Sequence, residues 1–214
     1  MPHDHDHPHD HATTHRHPLR PDQDDTLTYW RAMEVAVRAL LIDKGIVTAD
    51  EVRRQVEDMD HRSPLQGARV VAKAWADPEY RKLLLEDGGA ACEAIGLDRG
   101  PYKLVVVENT DAVHNVIVCT LCSCYPRWLL GLPPDWYKSR SYRSRVINTP
   151  REVLKEFGTS IGEEVVVRVH DSTADMRYLV LPRRPAGTEG WSEERLAGLV
   201  TRDSMVGVAL ARNP

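Results

Sequence analysis

The sequence predicts an α+β fold, in which an N-terminal helical arm precedes a mixed α/β layered domain that carries a cysteine loop. Three observations support this. Apolar residues recur at helical spacing from Thr28 to Leu85. After Gly100 the pattern changes to short apolar runs, LVVV at 104–107 and VHNVIV at 113–118. Beyond them, helical and strand patterns interleave without an internal repeat. The expected divisions are a disordered tail over 1–25, a helical arm and segment over 26–98, and an α+β domain over 99–214.

The elements follow in order. From Thr28 to Lys44, Trp30, Met33, Val37, Leu40 and Leu41 share one helical face, and Gly45 ends the helix. Thr48 and Glu51, in the run TADE, have capping-box spacing and open a second helix toward Met59. Both helices carry apolar faces with few evident partners, so docking on another subunit and packing within the chain both fit. A third helix covers Pro64 to Trp75. Asp77 and Pro78 are a cap and first-turn pair that start a fourth, through Leu85, which Gly88 and Gly89 interrupt.

The runs at 104–107 and 113–118 are strands. Pro126, Gly131, Pro133 and Pro134 make the next stretch loop-like, and short helices cover Asp135 to Arg145 and Pro150 to Phe157. Val165 to Val169 is continuously apolar, as in a buried strand. Arg177 to Leu181 is a further strand, Ser192 caps a last helix to about Val200, and Met205 to Ala209 reads as a final strand.

Composition narrows the function. The 214 residues are 42% apolar and 28% charged, enough for a core and a solvated surface. Lys and Arg total 28 against 32 Asp and Glu, a net −4 that argues against a nucleic-acid binder. No apolar run approaches a membrane span and no secretory pattern opens the chain, so a cytoplasmic protein without a membrane partner is expected. The tail holds seven of the ten histidines, interleaved with Asp4, Asp6 and Asp10 and with four prolines. It has too few large apolar side chains to bury a core. Imidazole and carboxylate together suit a divalent transition ion, so a metal reservoir and a solvated tail without a role both fit.

Cysteine use points to metal or redox chemistry. Three of the four cysteines, Cys119, Cys122 and Cys124, lie within six residues, too close together to close disulfide loops. In this C-x-x-C-x-C run, three sulfurs can face one ion. Because only Ser123 separates Cys122 from Cys124, the main chain approaches that ion too, and the amide nitrogens of Ser123 and Cys124 become possible ligands. Two sulfurs and two amides make a square plane, with Cys119 axial and a sixth position open. A low-spin trivalent ion gains from that geometry. Tetrahedral zinc gains little, yet three cysteines with Cys92, His114 or His170 as a fourth ligand would make a structural zinc site. A redox pair or inert buried thiols are further alternatives.

The run VCTLCSCYPRWLLGLPPDWYKS, residues 118–139, resembles the metal-binding segment of nitrile hydratase alpha subunits. The likeness extends to VVVENT (105–110), YRSR (142–145), RYLVLP (177–182), RPAGTEGWSEE (184–194) and TRDSMVG (201–207), covering nearly all of residues 28–210. The resemblance implies that family's alpha-subunit fold and an enzyme that hydrates a nitrile to the amide. It implies an axial thiolate from Cys119, a sulfinic acid at Cys122, a sulfenic acid at Cys124, and amide ligation by Ser123 and Cys124. Cys122, Ser123 and Cys124 would then form the catalytic group. Thr120 and Tyr125 are similar to the cobalt branch of the family, so the implied cofactor is one non-corrin Co(III) per chain, a Lewis acid toward a small nitrile. The attacking oxygen would be either that of activated water or the sulfenate oxygen of Cys124. Sulfinate is a poorer donor than thiolate, so oxidation would tune the metal. The resemblance also implies a beta-type partner, as one chain or two small chains, and an activator protein that loads cobalt.

One departure matters. Family members read YPWP after the cluster, whereas this chain reads Tyr125-Pro126-Arg127-Trp128. That arginine, and the His/Asp-rich N-terminus, are similar to the gamma subunit of thiocyanate hydrolase, which releases carbonyl sulfide and ammonia from thiocyanate. A gamma-type subunit is therefore the alternative enzyme, and a non-catalytic cobalt-binding module the alternative of another class. Arg127, Trp128 and Tyr125 are candidates to line the substrate pocket, Arg127 by pairing an anion or an oxidised sulfur. His114 and His170 read as structural, His61 as solvated, Cys92 as a small buried apolar residue, and Trp75 and Trp136 as core.

Overall fold

The computed structural model describes residues 27–214. The His/Asp-rich segment, with the metal reservoir read from it, lies outside the described residues. The chain divides into two units, residues 1–49 and 50–214.

In the first unit, α1 spans Tyr29–Asp43, with the Thr28 hydroxyl accepting from the Arg31 amide and Gly45 turning the chain at φ 64°. Its amphipathic pattern is as expected, yet none of its residues is buried, and Trp30 is 77% exposed.

The second unit holds the core. Its helices are α2 (Ala49–His61), α3 (Leu65–Ala76), α4 (Pro78–Glu86), α5 (Gly88–Ala94), α6 (Arg127–Leu130), α7 (Asp135–Lys138), α8 (Arg140–Asn148), α9 (Pro150–Glu156), α10 (Glu193–Ala197) and α11 (Arg202–Val206). Its strands are β1 (Lys103–Glu108), β2 (Val113–Val118), β3 (Val166–Asp171) and β4 (Met176–Leu181). β1 pairs parallel with β4, from Lys103 opposite Met176 to Glu108 opposite Leu181. β2 pairs parallel with β3, from Val113 opposite Val166 to Val118 opposite Asp171. Parallel pairing needs a long crossover, and between β2 and β3 that crossover carries the cysteine loop and α6 to α9. The cysteines therefore emerge at the carboxyl end of a strand, where open α/β sheets commonly place their sites.

The core brings together Val70 and Val71 of α3, Leu84 of α4, Ile117 of β2, Leu129 and Leu130 of α6, Leu179 of β4 and Met205 of α11, all fully buried. Gly67 permits this closeness. A Cβ there would lie 2.5 Å from Leu130 Cδ2 and 2.7 Å from Met205 Sδ.

Caps set several boundaries as expected. The Asp77 carboxylate accepts from the amides of Glu79 and Tyr80, and the Ser192 hydroxyl accepts from Arg195. Five local expectations are corrected. Gly88 and Gly89 begin a helix instead of only breaking one, because Asp87 accepts from the Ala90 amide; a Cβ on Gly88 would meet Leu104 O at 2.9 Å. The stretch after Pro126 contains the short helix α6. β3 is not a buried strand: β2 is its one partner, its exposure alternates, and Val166 is 53% exposed. Met205–Ala209 is not a strand. Thr201 and Ser204 form a reciprocal capping box that opens α11, and Gly207 closes it at φ 89°. Ser139 divides the predicted helix over 135–145 into α7 and α8, capping the second through the Tyr142 amide.

Candidate metal centre

β2 delivers Cys119, and the chain then turns so that three sulfurs converge. Cys119 Sγ lies 3.6 Å from Cys122 Sγ, which lies 3.3 Å from Cys124 Sγ, and all three fall within 4.8 Å of one another. Cys119 is buried, Cys124 intermediate and Cys122 exposed, so the group opens to one side. The Cys122 amide donates to Cys119 Sγ at 3.3 Å, closing the first turn of the loop.

The electrostatics distinguish the thiols. The Cys122 pKa is lowered, first by its hydrogen bond with Cys124, then by those with Cys119 and with the backbone amides of Ser123 and Cys124. Cys124 is pushed up to about 12, mainly by burial and next by Cys122, while the charge of Arg177 pulls it down. Arg177 is itself buried, with its guanidinium 4.0 Å over the Tyr102 ring. Three converging sulfurs, all soft donors, fit a thiophilic transition metal. Neither Cys92, His114 nor His170 belongs to this group among the described residues.

Other elements hold the loop's backbone. Asp171, at the end of β3 and opposite Val118, accepts from the Thr120 amide at 2.9 Å and from its hydroxyl at 2.6 Å. Arg143 of α8 donates to Thr120 O at 3.3 Å. The Tyr137 hydroxyl donates to Cys124 O at 2.9 Å, and the Tyr142 hydroxyl to Ile117 O at 2.8 Å. Sequence reasoning missed all four as site residues. Tyr137, Tyr142 and Arg143 lie in the segments DWYKS and YRSR that carry the resemblance. Asp171 has no signal of its own, because only the β2–β3 register brings it to Thr120.

The pocket candidates separate. Tyr125 and Trp128 are buried, and the Tyr125 hydroxyl and Trp128 Nε1 have no hydrogen-bond partner among the described residues. Trp128 packs where a Cβ on Gly100 would lie 2.1 Å from its ring. Arg127 is exposed. A cleft of about 520 Å³, lined by Thr120, Leu121, Arg140, Arg143 and Ile147 among others, runs beside the loop.

The histidines are structural, as expected. Asn109 Oδ1 accepts from the Asn115 amide at 2.7 Å, which leaves Asn109 Nδ2 to donate to His114 Nδ1 at 3.3 Å. His114 Nε2 then donates to Gly207 O at 2.8 Å. His170 Nε2 bonds Asn115 Oδ1 at 2.8 Å. Cys92 is fully buried in the core, and His61 is exposed.

Comparison with known proteins agrees with this architecture. The family model described as nitrile hydratase, alpha chain, matches residues 28–209. The high-molecular weight cobalt-containing nitrile hydratase subunit alpha of Rhodococcus rhodochrous is 51% identical over 190 residues, covering 87% of this chain and 94% of that protein. The cobalt-containing nitrile hydratase subunit alpha of Pseudonocardia thermophila is 48% identical over 197 residues, covering 91% and 97%. Among solved structures, a recombinant thiocyanate hydrolase comprising partially modified cobalt centers superposes with a TM-score of 0.81 at 44% identity, covering 86% of this chain and 91% of that one.

Proposed function

The chain belongs to the nitrile hydratase alpha-chain family, and from that premise we propose that it is the metal-bearing subunit of a cobalt nitrile hydratase that hydrates a nitrile to the amide. One observation carries the reading. Three sulfurs lie within 4.8 Å of one another, on a chain about half identical to subunits named for cobalt.

Cys119, Cys122 and Cys124, with the amide nitrogens of Ser123 and Cys124, would hold one non-corrin Co(III). When bound, that ion supplies Lewis acidity toward the nitrile and toward water. The chain's residues do the rest. Buried Cys119 anchors the group from the β2 side, away from solvent. Cys122 and Cys124 would hold the ion as sulfinic and sulfenic acids, and sulfinate, a poorer donor than thiolate, would tune its Lewis acidity. The Cys124 side chain borders the opening and can present a sulfenate oxygen to the nitrile carbon. Arg177 supplies a buried positive charge that favours an anionic group at Cys124.

The chain would work as one part of a hetero-oligomer. A beta-type subunit would close the open side of the loop, and an activator protein would load cobalt. Among the described residues no helix is long and apolar enough to cross a membrane. A cytoplasmic location is the reading consistent with composition.

Arg127 favours a second reading, the thiocyanate hydrolase gamma-type subunit. It is exposed, and its guanidinium has no hydrogen bond or ion pair among the described residues, so it is free to meet an anion. Product analysis decides between the two. The chain is co-expressed with its neighbouring subunits in cobalt medium and offered a nitrile panel and, separately, thiocyanate. Amide without carbonyl sulfide is the expected result. Carbonyl sulfide would overturn it in favour of the second reading.

A further inference from the structure

The cysteine loop is poorly packed where its chemistry lies. Leu121 is 87% exposed and Cys122 is exposed, so apolar contacts do not set the spacing of the sulfurs. Two buried phenols instead reach the backbone on either side. Tyr142 donates to Ile117 O, two residues before Cys119, and Tyr137 donates to Cys124 O. We propose that Tyr137 and Tyr142 are positioning residues that form a rigid brace across the cysteine motif, fixing the bite of the loop on its metal. This rests on the metal-centre reading above.

The brace is one body. Tyr137 and Tyr142 lie ring to ring at 5.8 Å, and Tyr142 packs edge-on against Trp136 at 4.9 Å. Trp136 packs in turn on Phe157 at 4.8 Å, and Tyr137 on Tyr125 at 5.2 Å. The link between the two tyrosines is fixed by Ser139, which donates to Trp136 O at 2.8 Å and accepts from the Tyr142 amide at 3.1 Å.

The hydroxyls are what call for explanation. Phenylalanine would fill the same aromatic cluster without burying a polar group, and burying a hydroxyl is costly unless it finds a partner. Both partners here are carbonyls flanking the cysteines. Fixing Cys124 O restrains the ψ of Cys124, the residue that presents a sulfur and an amide nitrogen together. Fixing Ile117 O holds the strand end from which Cys119 projects. Between these points Cys119 is buried and Thr120 is held by Asp171 and Arg143, whereas Leu121 and Cys122 are exposed and add no packing.

The test compares the cobalt-loaded complex carrying wild-type chain, Tyr137→Phe, Tyr142→Phe and the double variant. The measurements are cobalt per chain, the rate of cobalt loss to a chelator, the position of the visible sulfur-to-cobalt absorption, kcat, KM and the unfolding temperature. Groups that orient metal ligands typically carry ~10–100-fold in affinity or activity. Tyr137→Phe is expected to lose cobalt about tenfold faster, shift the absorption and lower kcat with KM little changed. Tyr142→Phe should do the same more weakly. Variants that unfold at lower temperature but keep the wild-type absorption, cobalt loss rate and kcat would overturn the proposal, because the phenols would then serve packing alone. If a phenylalanine variant fails to fold, fluorotyrosine at 137 keeps the shape and strengthens the donor. It should shift the absorption, and an unshifted band would overturn the proposal. A wild-type complex without cobalt absorption would instead refute the metal-centre reading itself.

Discussion

Cys92 and the cysteine loop put the same side chain to opposite uses. Cys92 lies in the core beside α4, where the Tyr80 hydroxyl donates to Ala91 O, and burial pushes its thiol up to about 11. It has no metal-ligating neighbours among the described residues and acts as a small apolar group. In the loop, the sulfurs lie within hydrogen-bonding reach of one another, and Cys122 is drawn below the ordinary thiol range. The first region is held by packing, and the second by hydrogen bonds that Asp171 accepts and that Arg143, Tyr137 and Tyr142 donate. A thiol reacts according to what faces it, and a loop held by its backbone can leave its side chains open.

Substitutions should separate the two regions, the largest effect coming first. Cys124→Ala is expected to abolish turnover, at least ~10³-fold or ~4 kcal/mol, and to lower cobalt content. The unfolding temperature of the metal-free chain should stay unchanged, and undiminished turnover would refute the site. Leu84→Ala, in the packed region, should cost ~3 kcal/mol in denaturant unfolding while leaving the absorption of the folded fraction intact. A shifted band would mean that the two regions are not separable.

Asp171→Ala removes both bonds to Thr120 without touching a sulfur. A fall of ~10–100-fold in cobalt affinity is expected by metal titration, and wild-type affinity would show that the loop holds its shape unaided. Cys92→Ala should cost only ~1 kcal/mol and leave cobalt per chain as it was, checked by melting and metal analysis. The smallest effect concerns pH. Burial lowers the His114 pKa below its ordinary value of 6.5. The unfolded chain therefore takes up that proton first as pH falls. The stability tied to neutral His114 is complete above about pH 6.5 and is lost as pH drops through that value toward the folded pKa. His114→Gln should flatten the dependence of the unfolding midpoint across this window. An unchanged slope would assign it to other groups, such as His170, whose pKa burial also lowers.

The boundary between what was readable and what was not follows the range of the forces. Asp77, Ser192 and Thr28 cap their helices within three residues, so their elements can be read locally. The C-x-x-C-x-C spacing brings three sulfurs together over six residues, and that too is local. Met205–Ala209 looked like a strand because its apolar run was weighed without the Thr201–Ser204 box in front of it. β3 looked buried because apolar content cannot say whether a second strand or layer covers a face. The same limit applies to α1, whose pattern predicts a helix and whose exposure no pattern predicts.

By itself, then, the amino-acid sequence determined most of the succession of elements, the clustering of three cysteines and the family likeness, because these rest on propensity, caps, spacing and motifs that are local in the chain. Tertiary structure alone decided what holds the loop. Asp171 reaches Thr120 across 51 residues through the β2–β3 register, and Tyr142 reaches Ile117 across 25 through the crossover helices. Hydrogen bonds act over about 3 Å of space regardless of sequence separation, so only the folded chain brings those partners into range.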